Sequence, residues 1–454
     1  MTPLRPGTIL TYALPWPEAT LLSFLHLGKG QPRVFWESEK SPLDFAGYGI
    51  AVQLTASGPS RFTQIAADAA SLFSNIHRVT DATPPGADPV LAGGFSFRSG
   101  GEQGDPYWTA FCEAQFLLPR YQLTRFDGET WLTLNHVLAP GEDSRTIAHH
   151  LRETAEDLIW QGLNGDYASP TIDDIPVELR ALHFTPFTSH DDWVRMITET
   201  TQRIHQGELE KAVLARTTHV EFASSLPLAA LLARLSARYP DCYRFLIEPQ
   251  PQRAFFGATP ELLAEVSARQ LYTIALAGST QRGQTWQEDQ ALGQQLLANP
   301  KERHEHDLVV RALRENLQSL TVHLEIPNFP ELCLLNNIQH LRTPIYGQLV
   351  NGNGIIPVVQ ALHPTPALGG TPREIALQLI GELEPLQRGW YGAPIGWLAP
   401  NGNGEFAVAI RSAVANGRRI RLYAGAGIVG DSEPEKEWRE TELKFQPILK
   451  ALGM

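Results

Sequence analysis

The first part of the chain is patterned for strands. VFWESE (34–39), GYGIAVQLTA (47–56) and LAGGFSFRSG (91–100) join aromatic and β-branched residues to glycine breaks. FLLPRYQLTRF (116–126) and TWLTLNHVL (130–138) continue the pattern. The period then changes, and RTIAHHLRETAEDLIWQGL (145–163) predicts a helix. The stretch GDYASPTIDDIPVELR (165–180) reads as a connection between a β-rich half, residues 1–180, and a second region, residues 185–454. In DDWVRMITETTQRIHQGEL, Val194, Ile197 and Ile204 recur at helical spacing, with Ser189 and Asp191 available as caps. Two later helices are predicted. One spans 301–317 after Pro300; the other spans 434–449, with Ser432 as its cap and Pro434 in its first turn. There is no internal repeat, heptad run or low-complexity segment. The mixture predicts an α+β fold with large, mainly antiparallel sheets.

Composition narrows the class. A chain of 454 residues, 43% hydrophobic and 19% charged, can bury a large core as one domain or two. No stretch is long and apolar enough to span a bilayer, and the N-terminal segment has no basic region followed by an apolar run. Cys112, Cys242 and Cys333 are odd in number and far apart. They argue against a disulfide frame or a zinc site, fit a reducing cytoplasm, and are expected to be buried and inert. The net charge of −12 has no offsetting basic tract, which argues against nucleic acid or anionic membrane as partners.

The candidate chemistry is concentrated after residue 200. In the 301–317 helix Glu302 and Glu305 share a face, and Leu308, Val309 and Ala312 turn Glu305 toward packed structure. In the 434–449 helix Glu437, Glu440 and Lys444 fall on one face. Two Glu-x-x-Glu pairs can hold a hard cation, and magnesium fits their oxygen donors better than zinc. The competing reading is two solvated helix faces. EKAVLART reads as a buried strand that places Lys211, Val213 and Ala215 on one face. A lysine there is either a general base with a lowered pKa or a strand-end residue reaching solvent. Glu261, at a Thr-Pro-Glu turn after RAFFGAT, is either a functional acid or the first-turn acid of a helix. GAGIVG (425–430) matches the dinucleotide fingerprint, as an NAD-dependent oxidoreductase would require. The DSEPEKE that follows makes the turn too long, and only 24 residues remain after Gly430, too few for a βαβ unit and its sheet.

Taken in order, GELEKAVLAR (207–216), FFGATPELL (255–263), PKERHEHDLVVRAL (300–313), LHPTPALGGTPRE (362–374), RGWYGAPIGW (388–397), VAIRSA (408–413) and RLYAGAGIVGDSEPEKEWRETELK (421–444) resemble the chorismate-utilising enzymes, and within them the isochorismate synthases, menaquinone type foremost. FWES, AGYG, GGFSF and FLLPRY extend the resemblance loosely into the first half. It implies one large domain of two packed, mainly antiparallel β-sheets with helices outside and a deep cleft. It also implies a magnesium-dependent isomerisation of chorismate, in which water adds at C2 and the C4 hydroxyl leaves.

By the same resemblance, Glu305 and Glu440 match magnesium ligands, while Glu302 and Glu437 match acids that hold the ion's waters. Lys211 matches the base that activates water, and Glu261 the acid that protonates the departing hydroxyl. Tyr391 and Arg411 match contacts to the enolpyruvyl carboxylate. Lys444, with the close-approach glycines Gly425 and Gly427, matches the surroundings of the ring carboxylate. His340 matches a lining residue. Amine-adding relatives usually carry glutamine in place of Lys211 and need a glutaminase, so no glutaminase subunit is expected. A salicylate synthase is the nearer alternative; those enzymes tend to carry threonine at the position of Ala367. A monomer or weak homodimer in the cytoplasm is expected.

Overall fold

The computed structural model describes residues 4–79, 86–100, 104–163, 179–334, 338–385 and 387–454. The expected connection at 165–180 lies almost wholly outside the described residues. Twenty-one strands pair into one continuous ladder. Its first wing runs from β8 (Ala181–Pro186) through β9 (Lys211–Phe222), β21 (Arg419–Ile428), β20 (Ser412–Asn416), β11 (Arg253–Thr259), β10 (Tyr243–Gln250), β2 (Arg33–Glu37) and β3 (Leu43–Ala56) to β6 (Ala114–Phe126). One end of β6 carries β7 (Glu129–Val137), β1 (Ile9–Pro15) and β4 (Ile76–Arg78). Its other end pairs with β5 (Leu91–Phe95), which opens the second wing. That wing continues through β18 (Pro394–Leu398), β19 (Gly404–Val408), β12 (Leu262–Ser267), β13 (Gln270–Gln281) and β16 (Ile338–Leu349), with β14 (Thr321–Glu325) and β15 (Glu331–Leu334) beyond. Among these pairings β1–β4 alone is parallel. The two expected sheets are thus wings of one ladder, joined where β6 changes partners.

Three apolar layers hold the wings. Between them lie Trp36, Phe45, Phe245, Phe255 and Val414 of the first wing, against Leu262, Ile395, Trp397 and Ala407 of the second. Outside the first wing, α1 (Leu21–Leu27), α3 (Ser144–Leu163), α5 (Leu228–Arg238) and α10 (Pro434–Ala451) cover one core. Outside the second, α2 (Arg61–Ser74), α7 (Pro300–Gln318) and α8 (Ile355–Leu362) cover another, which extends to Leu214, Ala426 and Ile428 of the first wing, where α4 (His190–His205) adds Trp193, Met196 and Ile197 and α9 (Arg373–Leu383) packs on β9. No helix among the described residues is long and apolar enough to cross a membrane.

Two helices bear directly on the site. In α7 the Asn299 side chain accepts from the Lys301 amide at 3.0 Å, Pro300 occupies the first turn, and His306, Val309, Leu313 and Leu317 form the buried stripe. Glu302 and Glu305 lie on its flank. In α10 the buried stripe is Thr441, Phe445, Ile448 and Ala451. Its cap is Glu433 and not Ser432, whose hydroxyl accepts from the Val429 amide at 3.2 Å and closes the preceding turn instead. Arg216 of β9 clamps α10, its guanidinium 3.6 Å from the Trp438 ring and donating to Thr441 Oγ1 at 2.6 Å. The expected burial of the cysteines does not hold. Cys112 is exposed, and Cys242 and Cys333 are half-buried; all three are free.

One buried carboxyl in the interwing core gives a pH test. Glu405 of β19 is fully buried and accepts from Trp36 Nε1 at 3.0 Å, with the Ser41 hydroxyl on the same oxygen. Tyr243 bonds it as well, and Glu265 stands directly across the strand pair. Burial, reinforced by the Glu265 charge, pushes its pKa from 4.5 up to about 7. A raised acid stabilises the fold fully below pH 4.5, and the benefit is lost as pH rises through 7. The whole effect is about 3 kcal/mol by linkage. Glu405→Gln, neutral throughout, is therefore expected to gain stability relative to the unmodified protein between pH 5 and pH 8 in urea unfolding. Parallel stability curves would show that Glu405 does not titrate in this range.

Candidate active site

The first strand of the site is β9, with Lys211 as its first residue. Antiparallel pairing sets β9 against β21, so that Val213 faces Gly427 and Ala215 faces Gly425. Lys211 lies over the bare Gly427: a Cβ at 427 would meet Lys211 Cε at 3.0 Å. Gly425 is bare for a similar reason, since a Cβ there would stand 3.1 Å from the Tyr391 hydroxyl. These two glycines keep a strip of β21 open, and the charged side chains of two helices reach it. Lys211 Nζ donates to Glu305 of α7 at 3.0 Å. Lys444 Nζ donates to the Gly425 carbonyl at 2.8 Å and also pairs with Glu440, one turn back on α10.

The second wing supplies the opposite wall. Glu261 sits in the turn between β11 and β12; no helix begins there, so it is not a first-turn acid. Its backbone is pinned by the Val408 amide, which donates to the Glu261 carbonyl at 2.9 Å. Burial pushes the Glu261 carboxyl above the usual carboxylate range, against the pull of Arg411, Lys444 and Lys211. These three cations come from three separate segments and act on one acid.

Arg411 follows β19 with φ +51°, a left-handed backbone that is uncommon outside glycine. The twist lets its carbonyl accept from the Ala258 amide at 3.2 Å. Gly257 is required beneath it, because a Cβ there would lie 2.6 Å from that carbonyl oxygen. Among the described residues the Arg411 side chain forms no ion pair; burial lowers its pKa, and Tyr391, Glu261 and Glu440 are its nearby negative or potentially negative groups. Tyr391 is 5% exposed and stacks on Tyr423 at 4.9 Å. Burial raises the Tyr391 phenol to about 12, so it remains a neutral donor.

The remaining candidates border this cleft. β13 bulges between Ala277 and Ser279, with Gly278 at φ +73°. The bulge frees the Ser279 amide to donate to Glu302 at 3.0 Å, and sets His340 of β16 opposite Ser279. His340 bonds the Gly278 backbone, and burial lowers its pKa, leaving a neutral imidazole. On α10 burial raises the Glu437 carboxyl, Ser432 bonds it and Glu440 repels it. Ala367 lies in a turn where the Thr365 carbonyl accepts from the Leu368 and Gly369 amides at 3.0 and 2.9 Å. The same loop is stitched to the start of β9: the Val213 amide donates to Gly369 at 3.0 Å, and β17 (Gly370–Thr371) pairs with Ala212 and Lys211.

The four glutamates bear on the metal question differently. Among the described residues no three His, Cys, Asp or Glu side chains converge into a closed metal-binding cluster. The donor chemistry nevertheless fits magnesium. It takes oxygen ligands and keeps several waters and substrate oxygens, so two carboxylates suffice. Glu305 and Glu440 each already face a positive charge, that of Lys211 and that of Lys444.

Several residues that shape the site are not evident from the motifs. His306 beside Glu305 is buried between the Ala277 carbonyl and Thr343 Oγ1, at 3.2 and 2.7 Å. Glu384 and Arg388 form a buried ion pair behind β9. In sequence these two are separated by Pro385, which rules out the helical face that would signal a pair four apart.

Residues 4–453 match a family described as chorismate-binding enzymes. The chain is similar to the isochorismate synthase MenF of Bacillus subtilis, with 34% identity over 98% of this chain and 94% of that protein. It is also similar to a salicylate biosynthesis isochorismate synthase of Pseudomonas aeruginosa, 37% identical over 93% of this chain and 85% of the relative. The solved structure of MenF, the menaquinone-specific isochorismate synthase of Escherichia coli, superposes with a TM-score of 0.80 at 29% identity, covering 99% of this chain and 96% of that one. A match along nearly the whole chain, on a shared α+β fold, makes this protein a member of the chorismate-binding enzymes.

Proposed function

We propose that the protein is an isochorismate synthase, an isomerase that converts chorismate to isochorismate. One observation carries the reading: Lys211, Arg411 and Lys444 all act electrostatically on Glu261, an acid whose proton affinity burial has raised. Lys211 takes a proton from water as its oxygen bonds to C2. The ring double bonds shift, the C4–oxygen bond breaks, and Glu261 gives its proton to the departing hydroxyl. One water enters and one leaves, so no redox cofactor is needed. Lys211 donates to Glu305 in the resting site, and as the neutral base it can keep that bond while its lone pair faces water. Arg411 and Tyr391 hold the enolpyruvyl carboxylate, the former as a planar cationic fork and the latter as a neutral donor. Lys444 and the bare strip at Gly425 and Gly427 receive the ring carboxylate, and His340 lines the wall. Glu305 and Glu440 would hold magnesium, with Glu302 and Glu437 beside its waters, and the bound ion would supply positive charge at the ring carboxylate.

The names of the relatives support this activity, and the MenF relatives, matched over nearly the whole chain, support the menaquinone branch. Free cysteines fit a cytoplasmic enzyme. It acts on free chorismate as a monomer or weak homodimer, without a glutaminase. The direct test is incubation with chorismate and magnesium followed by product separation. Isochorismate is expected as the main product.

Where the reaction stops gives a sharper prediction. Ala367 cannot donate a hydrogen bond, and the site is expected to release isochorismate with its enolpyruvyl group intact. Coupling to lactate dehydrogenase should show little pyruvate until an isochorismatase is added. Ala367→Thr should yield a trace of salicylate. Pyruvate appearing as fast as chorismate disappears would move the assignment to a salicylate synthase.

A further inference from the structure

One long edge of β9 is paired throughout with β21, but the other is not. It has β17 at Lys211 and Ala212, and β8 from Thr218 onward, with no strand between them among the described residues. The Val213 carbonyl and the Ala215 amide face that gap. Unpaired buried backbone groups cost about 1–3 kcal/mol each, so a partner is required. The partner is an ion pair. Arg388 Nη2 donates to the Val213 carbonyl at 2.6 Å, and Glu384 accepts from the Ala215 amide at 2.8 Å. The pair itself is 4% and 5% exposed, with Arg388 Nε donating to Glu384 at 2.9 Å.

The same residue reaches two further parts of the site, one through its guanidinium and one through its backbone. Its Nη1 donates to the Leu368 carbonyl at 3.0 Å, next to Ala367. The Arg388 carbonyl accepts from the Tyr391 amide at 2.9 Å. One residue thus ties three parts together: its side chain joins the Lys211 strand to the Ala367 loop, and its backbone carbonyl holds the Tyr391 turn.

We propose that Glu384 and Arg388 are positioning residues for the active site: they replace a missing β-strand beside β9 and fix Lys211, Ala367 and Tyr391 relative to one another. The catalytic part of this inference rests on the isochorismate synthase reading; the strand-holding part does not. A lysine at 388 can keep the bond to Glu384 but cannot reach the Val213 and Leu368 carbonyls together. Arg388→Lys is expected to lower kcat by about tenfold to a hundredfold per folded molecule, the cost of a misplaced reacting group. Glu384→Gln keeps an acceptor for the Ala215 amide and should lose less, about threefold to tenfold. The control is Glu248→Gln, which weakens a comparably buried pair (Arg33 and Glu248, 3% and 1% exposed) away from the cleft. It should cost stability but leave kcat and KM within about twofold. Amide hydrogen exchange over 211–217 should quicken in both brace variants and not in the control. If Arg388→Lys fails to fold, Glu384→Gln carries the comparison. Unchanged exchange over 211–217, or brace variants that lose stability while keeping kcat and KM, would overturn the proposal. If the unmodified protein does not turn over chorismate, the functional reading fails, and exchange still decides whether the pair holds β9.

Discussion

Lys211→Ala is expected to reduce chorismate turnover by about 10²–10⁴-fold, the usual worth of a positioned general base, with the fold intact. Lys211 carries one ion pair, to Glu305, on a side chain that keeps some contact with solvent. Its removal therefore empties the cleft without opening a core. Glu261→Gln should cost a similar factor for the opposite reason: the amide keeps the shape and cannot give up a proton. The two variants should also differ in pH dependence. Burial raises the Glu261 carboxyl, so the acid is protonated at lower pH and the rate should fall as pH rises through its pKa. That alkaline limb should vanish in Glu261→Gln. Either variant turning over within a few-fold of the unmodified protein would remove that residue from its role. Ammonia or glutamine, with or without a glutaminase, should give no aminated product.

The second large effect concerns the glutamates. EDTA should abolish activity and magnesium restore it. Glu305→Ala and Glu440→Ala should each lose nearly all turnover while remaining folded, because each carboxylate lies on a helix flank and not in its buried stripe. Both glutamates also hold lysines, so loss of rate alone is ambiguous. The magnesium titration separates the two explanations. If Glu305 and Glu440 are ligands, the magnesium concentration for half-maximal residual activity should rise by about tenfold or more. A variant whose residual activity keeps the original magnesium dependence would show that its glutamate serves only the lysine. Full activity without any divalent ion would end the metal assignment.

Much of this site could be read from the chain because its parts are local. Glu302 with Glu305, and Glu437 with Glu440 and Lys444, are spaced three or four apart, and helical geometry alone puts each set on one face. The β-rich first half and the helices at 145–163 and 301–317 follow from periodicity, and the observed bounds differ by a residue or so. The cap of α10 was misplaced at Ser432 because a serine before Pro-Glu has the right chemistry for two adjacent positions. The backbone of the preceding turn, closed by Ser432 on the Val429 amide, decides between them.

The inventory is legible along the chain: an α+β pattern, two helices bearing paired acids, a lysine opening a strand, and an order of motifs that identifies the family. The tertiary structure decided how they meet. Lys211 and Glu305 are 94 residues apart, and only the docking of α7 on β13 and β16, in the wing opposite β9, makes them partners. Glu261 becomes a raised acid because the fold buries it, although cations at 211, 411 and 444 pull the other way; alternation and helical period describe one segment at a time and carry no information about that burial. The Glu384–Arg388 brace is the extreme case. Its purpose is to satisfy a gap in the β9 edge, and a gap exists only once the neighbouring strands have chosen where to end.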